Sequence, residues 1–303
     1  MWTMIRDSLR MLIGMTLIAV NTLAHGVPLF LVSFIKMLVP VKTIRRACLR
    51  LLVRIAESWI AVNSALIVFM THTRFHVSGV GNLRRDGSYL VLSNHQSWVD
   101  IPVLQMIFNR RIPFMRFFLK SQLIWVPVLG LAWWALDFPF MKRHSRAALE
   151  RRPKLRNQDR QATRRACKRF RGIPVSIMNF VEGTRFRPEK HARQASPYRH
   201  LLRPKSSGVA LVLETMGEAL RSVLDVCIVY PQGQTSMLQL MMDRITDIHV
   251  IVREYPIPEE LRVRHCEDER EYRARVQQWL NTLWSKKNML IEKRIESHVG
   301  VGT

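Results

Sequence analysis

Residues 89–100 read YLVLSNHQSWVD, an apolar run followed at once by a polar segment that contains a histidine and an aspartate. The run at 89–92 has the length and composition of a buried β-strand. His95 and Asp100 are five residues apart, and this spacing would place them about 140° apart on a continuous helix. They can meet only if the chain turns. We therefore expect His95 in a strand-to-helix loop and Asp100 in the first helical turn, where Pro102 suits a helix start.

The expected contact between His95 and Asp100 has a chemical consequence. Asp100 would accept a hydrogen bond from one imidazole nitrogen, which leaves the other nitrogen available as a base. Attack of a hydroxyl on a carbonyl needs such a base, because the hydroxyl must lose its proton as it attacks. The pair is weak evidence in isolation, and a capping or core histidine is the alternative interpretation.

A second polar segment, NFVEGTR at residues 179–185, also follows an apolar strand pattern. Gly183 permits a tight turn, Thr184 offers a hydroxyl, and Arg185 carries a fork of donors suited to a phosphate. Glu182 could hold that arginine in place or bind an acceptor hydroxyl. A surface turn with an exposed arginine is the competing interpretation.

A third polar segment, RPKSSG at residues 203–208, precedes a helical pattern. A lysine, two hydroxyls and a glycine at a helix start suit an anion, with Lys205 as the cation. A plain helix cap explains the same residues equally well.

The chain after residue 72 alternates between strand and helix patterns, which predicts an α/β domain around a largely buried sheet. The two N-terminal strands are joined across Asp86 and Gly87, a turn signal. The predicted strands are at 75–77, 89–92, 174–180 and 226–230, with a helix at 208–220.

The composition is strongly basic, with 47 Lys and Arg against 23 Asp and Glu in 303 residues, a net charge of +24. Such a field attracts polyanions: nucleic acid, anionic lipid headgroups, or phosphorylated substrates. The four cysteines are far apart and form no Cys/His cluster, so the sequence predicts no zinc site and no disulfide scaffold, and fits a reducing compartment. They are Cys48, Cys167, Cys227 and Cys266.

The N-terminal region contains about 25 residues without Asp, Glu, Lys or Arg, at 11–35, enough to cross a bilayer as a tilted helix. Gly26 and Pro28 are candidate kink sites. A signal peptide cleaved after Ala24 and a buried core helix are the alternatives, but the apolar run continues past Ala24. Basic residues are more frequent after the run than before it, which predicts that most of the chain is cytoplasmic.

Two further apolar stretches flank the predicted domain core. Residues 58–70 are too short to span a bilayer comfortably, so a core or interfacial helix is expected. Residues 117–141 contain three tryptophans, which fits either an in-plane membrane surface or ordinary core packing.

Residues 142–171 are rich in Arg and Lys, typical of a solvated face or of a patch for anionic headgroups. The tail at 267–296 predicts a helix with one apolar stripe.

Together these segments resemble the glycerolipid acyltransferases, the 1-acylglycerol-3-phosphate acyltransferases and their relatives. The family's NHxSxxD motif is complete at residues 94–100, and its FPEGTR motif matches residues 180–185 with Val181 in place of proline. The second and fourth family motifs correspond loosely to residues 138–143 and 228–231. The phrase LDFPFMKR at 136–143 resembles the bacterial YihG-like branch.

This resemblance implies a mixed sheet flanked by helices, with an N-terminal membrane-anchoring segment. The implied domains are an anchor with interfacial helices at 1–72, a catalytic domain at 73–260 and a helical tail at 261–303. His95 would be a general base held by Asp100, and Pro231 would shape the donor site. The acceptor's glycerol-phosphate would be bound by Glu182, Gly183, Thr184 and Arg185, with Arg143 and Lys205 as further candidates.

The resemblance also implies partners and a location. The acceptor would be a lysophospholipid, the donor acyl-CoA or acyl carrier protein, with no metal and no further cofactor. The chain would bind membrane lipids and not nucleic acid, on the cytoplasmic face of a bacterial inner membrane. The main alternative is a catalytically idle, basic membrane-binding protein with the same fold. A nucleic-acid-binding protein and a GxSxG hydrolase are weaker alternatives, because no binding module and no nucleophile elbow is recognisable.

Overall fold

The computed structural model describes residues 2–141, 161, 164, 167, 170, 173–233, 235–262 and 268–299. Two long helices come first, α1 (Trp2–Leu38) and α2 (Lys42–Met70). They pack as an antiparallel hairpin, with Asn21 donating to Asn63 Oδ1 at 2.8 Å and His25 bonded to Ser58 at 3.2 Å. Pro28 lies inside the continuous α1. Both helices are long and apolar enough to cross a membrane by length and composition.

The expectation of a short, separate helix at 58–70 is wrong, because these residues form the second half of α2. The basic run before them is part of the same helix. Cys48, Leu52, Ala56 and Ile60 are buried at intervals of four residues. This spacing places them on one helical face, so packing of that face extends the helix well beyond the apolar stretch.

Among the described residues after the hairpin, the main sheet has six strands in the order β1-β8-β7-β2-β6-β3. All pairings are parallel except β7 with β8, so the sheet is mixed. The strands are β1 (Arg74–Ser78), β2 (Tyr89–Ser93), β3 (Met115–Phe117), β6 (Ser176–Phe180), β7 (Ser222–Val229) and β8 (Asp247–Tyr255). A separate two-stranded sheet pairs β4 (Leu119–Lys120) with β5 (Phe140–Met141).

Helices cover both faces of the six-stranded sheet. The α-helices after α2 whose bounds the structure describes are α3 (Asp100–Phe108), α4 (Leu129–Ala135), α5 (Pro188–Gln194), α6 (Ser206–Met216), α7 (Met237–Met241), α8 (Glu259–Arg262) and α9 (Glu269–Val299). Every residue of β2 is buried, as expected for a parallel strand with both faces covered. Leu90 and Leu92 pack with α6 and α9, while Tyr89 and Val91 pack with α3.

The predicted α/β fold with a mixed sheet flanked by helices is confirmed, as are the strands and the tail helix. The expected adjacency of the first two strands is not found, because β8 and β7 lie between β1 and β2. The predicted helix at 208–220 begins earlier, at Ser206, and ends at Met216. Strand β8 was not predicted.

Candidate active site

The site is centred on the loop between β2 and α3, where His95 lies against Asp100. His95 Nδ1 is 2.8 Å from Asp100 Oδ2. The Asp100 side chain is fully buried, whereas 13% of the His95 side chain is exposed. Asp100 is the first residue of α3, so the expected loop-to-helix geometry is confirmed. Because Nδ1 donates to the carboxylate, Nε2 is the nitrogen that keeps a lone pair.

Backbone and side-chain contacts fix this loop. The Asp100 Oδ2 atom also accepts hydrogen bonds from the backbone amides of Gln96 at 2.7 Å and Ser97 at 2.9 Å. Asn94 donates to the Ile228 carbonyl at 2.8 Å and accepts from the Ile228 amide at 2.9 Å. The loop is thereby tied to the end of the neighbouring strand β7.

Tyr230 completes the shell around Asp100 and was not singled out from the sequence. Its hydroxyl donates to Asp100 Oδ1 at 2.6 Å, and its ring is buried. Burial, together with the nearby carboxylate, raises the pKa of Tyr230 well above its ordinary value, so the hydroxyl stays protonated as a donor. Asp100 is therefore held at both oxygens, which fixes the plane of the carboxylate that orients His95.

The imidazole ring of His95 is also positioned by stacking. It lies parallel to the ring of Phe180 at the end of β6, with a centroid distance of 3.9 Å. The His95 carbonyl accepts from the Phe186 amide at 2.7 Å. Residues of the second polar segment therefore contact the first, as the parallel pairing of β2 with β6 requires.

His95 lines a cavity of about 690 Å³ between the helical hairpin and the sheet. Most of its wall is apolar and comes from α2, α3 and the residues around α4, including Ile60, Ile101, Leu129 and Trp133. Part of the tryptophan-containing segment at 117–141 therefore lines a cavity, while Trp125 is 86% exposed. The cavity also reaches Gly183, Thr184 and Arg185, so it joins an apolar region to a cationic one.

The turn after β6 has the conformation that the EGTR segment predicts. Gly183 has φ +71°, a left-handed conformation that glycine adopts without strain. The Arg185 guanidinium lies over the ring of Trp98, 4.6 Å from its centroid, within the range of a cation–π contact. Both side chains line the cavity, so the planar fork of Arg185 has a defined orientation at its edge.

Two lysines flank this turn. A Cβ atom placed on Gly183 would lie 3.3 Å from Lys205 Nζ, so Lys205 lies directly against the turn. Lys190 on α5 donates to the hydroxyl of Thr184. Lys190 was not singled out from the sequence. Lys120 was not either, although it also lines the cavity. Both are ordinary charged residues without a motif of their own.

Glu182 is fully buried and does not line the cavity. Burial raises its pKa well above the ordinary value, and Asp100 reinforces the shift while Lys287 opposes it. Glu182 therefore lies beneath the site, close to the catalytic pair. The interpretation that Glu182 holds Arg185 in place is not supported, because the two form no ion pair among the described residues. The predicted contact of Glu182 with the acceptor stays a prediction.

A buried charge network joins helix α9 to strand β7 next to the site. Lys287 on α9 lies 2.8 Å from Asp225 Oδ1 and donates to the Val226 carbonyl at 2.7 Å. Asp225 also accepts from Arg253 at 2.8 Å. Lys287 and Asp225 are both fully buried, so each compensates the other's charge.

Two predicted site residues remain, Pro231 and Arg143. Pro231 follows Tyr230 in the turn after β7, but it does not line the cavity. Arg143 lies outside the residues that the structure describes. Within the described ranges, no group of three or more His, Cys, Asp or Glu side chains could hold a metal ion.

Asp100 holds His95 at the edge of a mixed sheet. The histidine faces a cavity that is apolar on one side and cationic on the other. This arrangement is that of an acyltransferase-like α/β protein. The chain belongs to the acyltransferase family, whose model matches residues 74–249. The predicted resemblance to the glycerolipid acyltransferases is thereby confirmed. The YihG-like branch stays a prediction.

Comparison with known proteins gives relatives of low identity. The chain is 25% identical over 182 residues to mouse 1-acyl-sn-glycerol-3-phosphate acyltransferase epsilon, covering 55% of this chain and 47% of that protein. It is 24% identical over 184 residues to the human gamma protein, covering 57% and 44%. The chain therefore spans about half the length of the curated relatives it matches.

A similar fold is found in the crystal structure of PlsC, the 1-acyl-sn-glycerophosphate (LPA) acyltransferase from Thermotoga maritima. The TM-score is 0.56 with 19% sequence identity, and the match covers 97% of both chains. Because the match covers 97% of both chains, it extends over the N-terminal hairpin as well as the sheet.

Proposed function

We propose that this protein is a membrane-associated O-acyltransferase. It would transfer a fatty acyl group from acyl-CoA or acyl carrier protein to the free hydroxyl of a lysophospholipid such as 1-acylglycerol-3-phosphate. The observation that carries the proposal is the 2.8 Å contact between His95 Nδ1 and Asp100 at the wall of the 690 Å³ cavity. The names of the curated relatives support the choice of acceptor.

The reaction needs one base. His95 Nε2 removes the proton of the acceptor hydroxyl while its oxygen attacks the thioester carbonyl carbon. The carbon–sulfur bond breaks, and the proton passes from the imidazolium to the departing thiolate, so the products are an ester and a thiol. Asp100 stabilises the imidazolium and keeps the tautomer in which Nδ1 is protonated. No metal or further cofactor takes part in this step.

The cavity suits both ends of such substrates. Its apolar wall, which includes Ile60, Leu129 and Trp133, would accommodate an acyl chain. At the other end, Thr184 and Arg185 would bind the acceptor phosphate, with Lys205 against Gly183. Burial of alkyl chains contributes roughly 0.8 kcal/mol for each methylene, so the apolar wall would supply most of the substrate affinity.

The helical hairpin supports the membrane part of the proposal. The outer face of α1 exposes many large apolar side chains, and Trp134 near the cavity is half exposed. Near the start of α1, Arg10 pairs with Asp243 at 2.9 Å, and near its end Lys36 pairs with Asp137 at 3.0 Å. Both ends of α1 are therefore bound to the catalytic half of the chain, residues 74–299. For this reason the hairpin and the cavity would contact the bilayer together.

The orientation follows from charge. The cations that follow the first apolar run, among them Arg46, Arg50 and Arg54, lie on α2 in the hairpin and would be attracted to the anionic lipids of the cytoplasmic leaflet. This is the side on which acyl-CoA and acyl carrier protein occur. Both points support our proposal that the protein acts at the cytoplasmic face of a bacterial inner membrane.

The test uses the purified full chain in detergent with isotopically labelled oleoyl-CoA or oleoyl carrier protein and a panel of lysophospholipids. Mass spectrometry would identify the diacyl product and its headgroup. Formation of a labelled diacyl lipid is the expected result. Absence of product with both donors, together with binding to lipid vesicles, would contradict the proposal and favour the catalytically idle membrane-binding alternative.

A further inference from the structure

The cations around the 182–185 turn lie close together and have no acidic partner among the described residues. Arg185, Lys190 and Lys205 form no ion pair with a carboxylate among the described residues. Some exposed arginines elsewhere do pair with a carboxylate, for example Arg84 with Asp86 at 2.7 Å and Arg199 with Glu292 at 2.8 Å. Uncompensated like charges repel one another, so the cluster is suited to an anion that is not part of the protein.

Lys190 is held in this cluster by specific contacts. Its ammonium donates to Thr184 Oγ1 and lies 3.4 Å from the Arg185 carbonyl. Desolvation lowers the pKa of Lys190, and the charges of Arg185, Arg187 and Arg193 lower it further, while Glu189 acts in the opposite direction. Lys190 therefore contacts Thr184 although the neighbouring cations repel it.

The contact with Thr184 gives its hydroxyl a direction. Because the ammonium N–H occupies a lone pair of Oγ1, the hydroxyl proton is free to be donated elsewhere. Thr184 lines the cavity, so an anion bound there would accept a hydrogen bond from this hydroxyl. Lys190 thus contributes a charge and also orients a neutral donor that contacts the substrate.

We propose that Lys190 is a specificity-determining positioning residue that makes the site selective for a phosphomonoester headgroup. A phosphomonoester carries about −1.5 to −2 charges at neutral pH, because its second pKa is near 6. A phosphodiester carries a single charge and lacks the third free oxygen. Three unpaired cations around one turn match the dianion better than the monoanion. This inference rests on the proposed function and adds the headgroup class to it.

The experiment compares two acceptors that differ in the headgroup only, 1-oleoylglycerol-3-phosphate and 1-oleoylglycero-3-phosphoglycerol. For the wild type we expect a higher kcat/KM with the phosphomonoester. Lys190→Met should raise KM for the phosphomonoester roughly tenfold, the lower end for a hydrogen bond to a charged group. It should change KM for the phosphodiester about twofold and leave kcat nearly unchanged. Lys190→Arg should restore part of the selectivity.

Arg193→Met is the matched control, because it removes one charge from the same short helix without a contact to Thr184. The control should keep the wild-type ratio of the two kcat/KM values within about twofold. An equal loss with both acceptors in Lys190→Met, or an unchanged ratio, would overturn the proposal. A wild type that prefers the phosphodiester would also overturn it. If the wild type acylates neither acceptor, the proposed function itself has failed.

Discussion

Tyr230→Phe removes one oxygen atom from the shell around the catalytic pair. The Tyr230 hydroxyl donates to Asp100 Oδ1 at 2.6 Å, and the Asp100 side chain is fully buried. Water therefore cannot replace the lost donor without rearrangement. A hydrogen bond to a charged group contributes roughly 1.5–3 kcal/mol to stability, so we expect the free energy of unfolding to fall by about that amount.

The effect on the rate should be partial. Asp100 Oδ2 keeps its three donors, His95 Nδ1 and the amides of Gln96 and Ser97. The carboxylate therefore stays near His95 but can rotate. If about 1.4 kcal/mol of the lost interaction is felt in the transition state, kcat falls roughly tenfold. KM for the acceptor should stay within about twofold, because Tyr230 does not line the cavity.

A second buried tyrosine offers the control. Tyr272 is 1% exposed and its hydroxyl donates to the Leu261 carbonyl at 2.9 Å, on the opposite face of the sheet. Tyr272→Phe should lower stability without lowering kcat. Release of thiol from acyl-CoA gives the rates, and thermal unfolding in detergent gives the stabilities. A wild-type kcat in Tyr230→Phe, or an equal loss of kcat in Tyr272→Phe, would refute the reasoning.

Three further substitutions test other parts of the structure. Gly183→Ala places a side chain at φ +71° and should lower the free energy of unfolding by about 1 kcal/mol. It should also raise KM for the acceptor in steady-state assays, and an unchanged KM would contradict the role of the turn. Lys287→Met leaves buried Asp225 undercompensated and should cost roughly 3–5 kcal/mol in denaturant unfolding, so a loss below about 1 kcal/mol would count against it. Asp247→Asn removes a carboxylate whose pKa is lowered by its hydrogen bond from Arg74. The wild-type advantage should be present above about pH 4, the ordinary carboxylate value, and should disappear as the pH falls through the lowered native pKa. A difference independent of pH would exclude this origin.

The part of the site that could be predicted is local in sequence. His95 and Asp100 are joined by a single turn, and Gly183 to Arg185 form another. In both segments the residue types restrict the backbone, through the helix start near Pro102 and the left-handed Gly183. Short spacing and backbone restriction together are sufficient to predict a contact without knowledge of the rest of the fold.

The contacts that could not be predicted connect distant segments. Tyr230 is 130 residues from Asp100, and at the end of an apolar strand it resembles any core tyrosine. Its role depends on β7 lying beside β2, which pairing across the sheet decides. Lys287 is 61 residues from Val226 and lies on a helix whose sequence shows only an apolar stripe and many charges.

The N-terminal hairpin was predicted in part for a related reason. The first apolar run is long enough to be recognised alone, and α1 spans it entirely. The first half of α2 is basic, and its buried stripe of small and apolar residues, Cys48, Leu52 and Ala56, faces the rest of the protein. Such a stripe becomes visible only when its packing partners, α1 and the residues around α4, are known.

The most direct test of the central claim is the rate of diacyl lipid formation by His95→Gln beside the wild type. Both would be measured at saturating donor and acceptor, with equal amounts of folded protein verified by thermal unfolding. Loss of a general base typically lowers the rate about 10²- to 10⁴-fold, and we expect a loss of this size, with unfolding of the variant close to that of the wild type. Equal rates in the two proteins would show that His95 is not the base and would contradict the account.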